Sequence, residues 1–297
     1  MVEVAAITGG TGMIGRRIAL RLMLAGYRVR ILSRRTYQGP DGVEIVAGSL
    51  SDRAAVNRLT AGAHAVFHCA AELRDESIMD EVNIRGTENV LAAAAEAGAK
   101  YFCHLSSVGV IGLVTAPEAT EATDCRPQNQ YERSKLLAEQ QVGQGIRGAR
   151  VTILRPTNVV AEENFGAVRF LFDNTVSTRR RLFLIAGESA HIVHADDVAD
   201  AAVYRMSAGG EGVERLIVST DHEPGGSYGD LWSLIWGSRR KPLHVPPAVP
   251  WLIRRALRRP RSRGDLRYSS NALLATGFRY QLDPRGAVSQ LLTAGEG

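Results

Sequence analysis

The sequence predicts an α/β chain, with a doubly wound parallel sheet and a small, less regular C-terminal part. Three observations predict it. Up to about Val110, short β-branched runs alternate with Ala- and Leu-rich helical stretches. Alternation at this spacing yields parallel strands with helices on both faces. The composition, 45% hydrophobic and 23% charged over 297 residues, is that of a folded globular protein with chain enough for one large core or two smaller ones. After Pro156 the alternation breaks, which points to a second, less regular part.

Val2–Thr8 reads as a buried strand and Ile14–Ala25 as a helix stopped by Gly26. Strands follow at Arg28–Leu32 and Gly42–Ala47. Asp52–Thr60 is a helix for which Ser51 is the expected N-cap. Ala65–Cys69 is a fourth strand, Met79–Ala97 a long helix closed by Gly98, and Tyr101–Leu105 a fifth strand. Tyr131–Val142 is a helix, Val151–Leu154 a sixth strand and Arg215–Ser219 a seventh. Glu162–Arg181 and Trp232–Arg263 do not continue the pattern.

Composition excludes disorder, collagen-like repeats and disulfide-rich miniproteins. Cys69, Cys103 and Cys125 are an odd three without zinc spacing, and two of them lie in apolar runs that suit a core. The N-terminus lacks the charged and apolar regions of a signal peptide, and no apolar run approaches ~18–20 residues, so a cytoplasmic protein without a membrane span is expected. Of the 36 basic residues only Lys100, Lys135 and Lys241 are lysine. Leu231 to Gly264 holds nine basic residues and no acid, and removing that +9 from the chain's +5 leaves −4. The positive charge is local, which argues against a nucleic-acid partner.

Thr8-Gly9-Gly10-Thr11-Gly12-Met13-Ile14-Gly15 joins the first strand to the first helix. Gly9 permits the tight turn, Gly12 lets the backbone approach a pyrophosphate, and Gly15 lets helix and strand pack closely. The phosphates would rest on the free N–H groups of the helix, favoured by its dipole. In this context the glycines predict a dinucleotide on a Rossmann-type sheet. The second strand ends in Ser33-Arg34-Arg35 with no acid. An acid there would hold a ribose 2′-hydroxyl, whereas serine and arginine suit a 2′-phosphate, so NADP is expected over NAD. Residues 1–160 are therefore the expected NAD(P)-binding domain, to which strand 215–219 returns, and 161–297 mostly the substrate-binding part.

Tyr131-Glu132-Arg133-Ser134-Lys135 puts a tyrosine and a lysine at i and i+4 on one helical face. A nearby ammonium stabilises a phenolate, and the pair then forms an acid/base suited to a carbonyl or alcohol. The fifth strand ends in Ser106-Ser107, where ligands bind in parallel α/β sheets, so a serine there can orient a substrate oxygen.

At these residues the sequence resembles the short-chain dehydrogenase/reductase superfamily in its extended branch, the NAD(P)-dependent epimerase/dehydratase family. The resemblance rests on the ordered stretches Thr8–Gly15, Val66–Ala71, Val82–Leu91, Ser106–Gly112, Tyr131–Lys135, Leu154–Val160, Val193–Ala201 and Leu273–Gln281. It implies Tyr131 as acid/base, Lys135 also on the nicotinamide ribose, and Ser107 as the substrate-orienting hydroxyl. It implies cofactor contacts from Gly9, Thr11, Gly12, Met13, Ile14, Gly15, Ser33, Arg34, Arg35, Ser49, Leu50, Ala70 and Ala71. Pro156, Thr157 and Asn158 would sit beside the nicotinamide. It implies a structural Asn83 bracing the central strands, and a structural helix start, not a metal site, at His194, Asp196 and Asp197. The family often has Asp-Leu where this chain has Ser49-Leu50, so an adenine contact from the acid is lost. The resemblance also admits a homodimer.

Three functions follow. The first is an NADP-dependent oxidoreductase moving a hydride between nicotinamide and a carbonyl or alcohol. The second is a nucleotide-sugar epimerase or dehydratase that retains its dinucleotide. The third is a non-catalytic NADP-binding redox sensor, against which the intact Tyr131–Lys135 pair argues. The basic segment from Trp251 to Arg259 is open to three readings: a solvated face, an arginine source for a phosphorylated or nucleotide-linked substrate, or a contact with an anionic membrane surface.

Overall fold

A computed structural model describes residues 2–35, 42–237 and 262–294, together with 242, 244–246, 248–249 and 251–252. The chain forms two compact units. The first comprises Met1–Val110, Pro127–Arg155 and Val198–Leu216, and the second Ile111–Arg126, Pro156–Asp197 and Ile217–Gly297.

The first unit is organised by a seven-stranded sheet. Its strands are β1 (Val4–Thr8), β2 (Arg28–Ser33), β3 (Glu44–Ala47), β4 (Ala63–His68), β5 (Tyr101–Leu105), β7 (Arg150–Pro156) and β10 (Gly212–Val218), in the order β10-β7-β5-β4-β1-β2-β3. The pairings from β3 across to β7 are parallel. β1 and β5 are buried at every residue, as expected for strands covered on both faces. The strand order reverses between β1 and β4, and the carboxyl ends beside such a reversal are where ligands bind.

The helices of this unit follow the predicted pattern with three differences. α1 is Met13–Leu24 and α2 is Arg53–Thr60. Asp52, not Ser51, caps α2, its carboxylate accepting from Ala55 N at 3.0 Å. The long helix expected over Met79–Ala97 begins earlier, because Asp75 caps it through Ser77 N. It runs as α3 (Glu76–Asp80), a π-helical turn over Glu81–Arg85 and α4 (Gly86–Glu96). Such turns re-aim side chains, and this one buries Asn83. α5 (Gln130–Val142) is capped by Asn129 and buries Ser134, Lys135, Ala138, Glu139 and Val142 along one face. The third difference is Ala195–Met206, a helix absent from the strand–helix reading. It is tied to the sheet unit through Ala202, whose carbonyl accepts from Tyr101 Oη, and through Asp200, which pairs with Arg21 at 2.6 Å.

The second unit has its own core. Val168, Leu171, Leu182, Leu231, Trp232, Val288 and Leu291 pack together from elements far apart in sequence. Two short parallel pairs belong to it: β6 (Glu118–Ala119) with β11 (Arg267–Tyr268), and β8 (Asn158–Val160) with β9 (Ile192–His194). Its helix α6 is Val176–Ile185. The basic residues 253–261 and 238–241 lie outside the described residues.

Candidate active site

The glycine loop has the geometry that its spacing predicts. Gly9 has φ +66°, and a Cβ there would lie 2.6 Å from Ala70 N, so turn and close approach both demand glycine. A Cβ on Gly15 would fall 2.2 Å from Gly9 O, which fixes how closely α1 packs on the loop. Gly12 differs: a Cβ would meet only Gly9 O, at 3.2 Å, and would otherwise project into open space before the helix. α1 has no side-chain cap and no acid in its first turn. Its first N–H groups therefore remain as donors for an anion. The loop fits a dinucleotide pyrophosphate.

Around it stand the other residues expected to hold the cofactor. Ser33 Oγ donates to Arg35 O at 2.7 Å and accepts from Arg35 N, which curls the end of β2 and leaves Arg34 and Arg35 exposed. Among the described residues no acid stands at this strand end. The hydroxyls of Ser49 and Ser51 pair at 2.9 Å, and Leu50 O accepts from Asn89 Nδ2 at 2.9 Å, so this loop is fixed before any ligand arrives. Ala70 and Ala71 follow β4, with Ala70 N donating to Thr8 Oγ1 at 3.4 Å.

β5 and α5 bring Ser107, Tyr131 and Lys135 together at the carboxyl end of the sheet. The Ser107 hydroxyl lies close enough to Tyr131 to favour its phenolate, and Ser107 Oγ accepts from Gly109 N at 3.0 Å. Lys135 is 3% exposed and donates from Nζ to Leu105 O at 2.5 Å. Burial pulls its pKa down to about 8. The sequence reading expected the ammonium to lower the Tyr131 pKa. The net direction is upward, because desolvation of the phenolate outweighs the nearby Ser107 hydroxyl. Tyr131 is thus held as a protonated phenol. Ser106 is a different case: its hydroxyl donates to Glu139 Oε2 at 2.8 Å inside the core.

A run of neutral hydrogen bonds, not visible in the sequence, links these parts. Thr87 Oγ1 donates to Asn83 O at 2.6 Å, so it accepts from His68 Nε2 at 2.8 Å. His68 Nδ1 then accepts from Thr8 Oγ1 at 2.6 Å. Burial, with the Lys135 ammonium second, pushes His68 down to about 3, so the ring is neutral. Asn83 Oδ1 accepts from Glu72 N at 2.7 Å, and its Nδ2 donates to Glu72 O and to Ser134 Oγ, each at 2.9 Å. Asn83 therefore braces the loop after β4 and the helix that carries Tyr131, rather than the central strands themselves. Beside it, Glu139 receives Arg155 at 2.6 and 3.0 Å and Arg215 at 3.1 Å. Cys103 is buried and its thiol is pushed up to about 12 by burial, while Cys69 and Cys125 are half-buried.

Three predicted residues lie in the second unit. Pro156 ends β7, and Thr157 N donates to Val218 O at 3.1 Å. Asn158 starts β8 and its Nδ2 is engaged with Ala190 O at 2.9 Å. His194 Nδ1 accepts from Asp196 N at 3.3 Å, and Asp197 Oδ1 accepts from Gln281 N at 2.6 Å, both at the start of the Ala195–Met206 helix.

Glycine loop, parallel sheet and Tyr–Lys helix together define a dinucleotide-dependent enzyme on a Rossmann-type fold. The model of the NAD dependent epimerase/dehydratase family matches residues 5–218, and the chain belongs to that family, within the extended short-chain dehydrogenase/reductases. Sterol demethylase protein B of Methylococcus capsulatus is 29% identical over 92% of this chain and 88% of its own. N-acetyl-alpha-D-glucosaminyl-diphospho-ditrans,octacis-undecaprenol 4-epimerase of Escherichia coli O157:H7 is 33% identical over 54% of this chain. The match spans about half the length of that relative, 50%, and 53% of an uncharacterized protein of Sinorhizobium fredii. The fold is shared with a short-chain dehydrogenase/reductase superfamily protein of Agrobacterium tumefaciens with bound NAD, at TM-score 0.77 and 22% identity over 99% of this chain and 97% of that one. It is shared also with WbmG of Bordetella bronchiseptica in complex with NAD, at TM-score 0.76 and 18% identity over 100% and 94%.

Proposed function

We propose that this chain is an NADP-dependent oxidoreductase that interconverts a carbonyl and an alcohol on a small molecule. One observation carries the reading. Tyr131, with the Ser107 hydroxyl beside it, and Lys135, held on the Leu105 carbonyl, share the strand-end region of one unit with an uncapped glycine-loop helix. When bound, the dinucleotide supplies or accepts a hydride. Gly9, Thr11, Gly12, Met13, Ile14 and Gly15 bind its pyrophosphate, and Ser49, Leu50, Ala70 and Ala71 line it. Ser33, Arg34 and Arg35 hold a 2′-phosphate, and Pro156 and Asn158 flank the nicotinamide. Tyr131 Oη gives a proton to the carbonyl oxygen in reduction and takes it back in oxidation. Ser107 Oγ holds that same oxygen. Lys135 would hold the nicotinamide ribose and, as an ammonium, would favour the phenolate.

The test is a pair of titrations with NADPH and NADH, followed by a carbonyl screen that includes sterol ketones and sugar nucleotides. NADPH is expected to bind more tightly, and Arg34→Ala to weaken it about tenfold while leaving NADH unchanged, since a charged hydrogen bond contributes about 1.5–3 kcal/mol. Equal affinities that ignore the substitution would refute the cofactor choice. A second reading, an epimerase or dehydratase acting on a nucleotide-linked or lipid-linked sugar, draws support from the 33% identity to the 4-epimerase. Dinucleotide retained through purification would favour it over an exchanging reductase.

A further inference from the structure

We propose that the second unit carries a docking surface for an anionic lipid bilayer, built on the outer face of α6. α6 buries Thr178, Leu182 and Ile185. Val176, Arg180, Phe183 and Leu184, at i, i+4, i+7 and i+8, form the opposite face. Val176 is 67% exposed, Phe183 48% and Leu184 45%, which is a large apolar offering for one short helix.

Arginines surround these side chains. Arg179, Arg180 and Arg181 are all exposed. Arg179 donates to Asn174 Oδ1, and Arg181 lies over the Phe170 ring at 3.8 Å, so both partners are neutral. Among the described residues no carboxylate pairs with any of the three. From Asn174 to Gly187 the sequence has three arginines and no acid.

Val245 N donates to Phe183 O at 3.1 Å. Val249 and Leu252 are also exposed. The three arginines of α6 thus stand beside exposed valine, leucine and phenylalanine. The charge is complementary to an anionic surface, and the apolar side chains have the reach to enter the boundary between headgroups and acyl chains. A polyanion such as nucleic acid would use the charge but leave the valines and leucines without a partner.

The test is flotation of the full chain with vesicles of phosphatidylcholine alone or of phosphatidylcholine with phosphatidylglycerol. It needs neither dinucleotide nor substrate, so its outcome is separate from that of the proposed reaction. Binding to the anionic vesicles only is expected. Each of Arg179→Ala, Arg180→Ala and Arg181→Ala should weaken it about fivefold. Phe183→Ser with Leu184→Ser should abolish retention at high salt, whereas Arg53→Ala with Arg58→Ala, on α2, should change nothing. Binding that ignores the α6 variants, equal loss from the α2 pair, no binding to either vesicle, or equal displacement by a nucleic acid with the serine variants unaffected would each overturn the proposal.

Discussion

The buried face of α5 carries two polar systems of opposite character. Toward its C-terminal half, Glu139 is a full charge met by Arg155, Arg215 and Ser106, with Glu139 and Arg155 each 3% exposed. Toward its N-terminal half, Asn83, Ser134, Thr87 and His68 are neutral and pass hydrogen bonds to one another, and the one buried charge among them, Lys135, has only a carbonyl as hydrogen-bond partner. The charged cluster is closed by its own hydrogen bonds and serves the fold, while Glu139 also favours the Lys135 ammonium through space, against the larger effect of burial. The neutral run fixes positions without consuming the lysine's charge, which leaves the ammonium able to act on an incoming group. A charge paired by hydrogen bonds marks the structural end, and a charge without a hydrogen-bonded counter-charge among the described residues marks the reactive one.

The comparison can be broken by removing one member from each side. Glu139→Ala leaves Arg155 buried without its carboxylate and should cost about 3–5 kcal/mol in urea unfolding. A loss below about 1 kcal/mol would mean that the cluster is not closed as described. Lys135 gives the next largest effect, and it depends on pH. Its folded pKa of about 8 lies below the 10.5 of a free lysine, so between those values the unfolded chain binds more protons. Stability should therefore rise with pH across that window, by up to about 3 kcal/mol, and Lys135→Met should flatten the rise. A slope that survives the substitution would place the titration elsewhere. Asn83→Ala should cost about 1–3 kcal/mol, because Glu72 N and Ser134 lose their partner. It should also lower turnover more than it weakens dinucleotide binding, since it loosens α5 rather than the glycine loop. An unchanged turnover would reduce Asn83 to a fold residue.

How much of this was legible in the sequence follows from the range of the interactions involved. The glycine loop, β1 and the Tyr131–Lys135 spacing are local patterns, and the structure places them as read. The two caps were decided by which carboxylate reaches an N–H: Asp52 displaces Ser51, and Asp75 starts a helix that the apolar pattern alone would begin at Met79. The bonds from Thr8 to His68 and from Asn83 to Ser134 join residues 60 and 51 apart, and no periodicity reports them. The direction of the Tyr131 pKa was misread for a related reason. Spacing showed the lysine but not the burial, and burial dominates. The Ala195–Met206 helix, whose start only the family resemblance implied, escapes the strand–helix pattern because its sheet contacts, at Asp200 and Ala202, come from partners early in the chain.

The reactive character of the N-terminal half of α5 rests on Tyr131. The most direct measurement is the rate of NADPH-dependent reduction by Tyr131→Phe, with the carbonyl substrate that the screen identifies, alongside its NADPH affinity. The expected result is an unchanged affinity and a rate lower by about 10²–10⁴-fold, the usual contribution of a positioned acid/base. A phenylalanine variant that turns over at the wild-type rate would contradict the assignment of the proton to Tyr131.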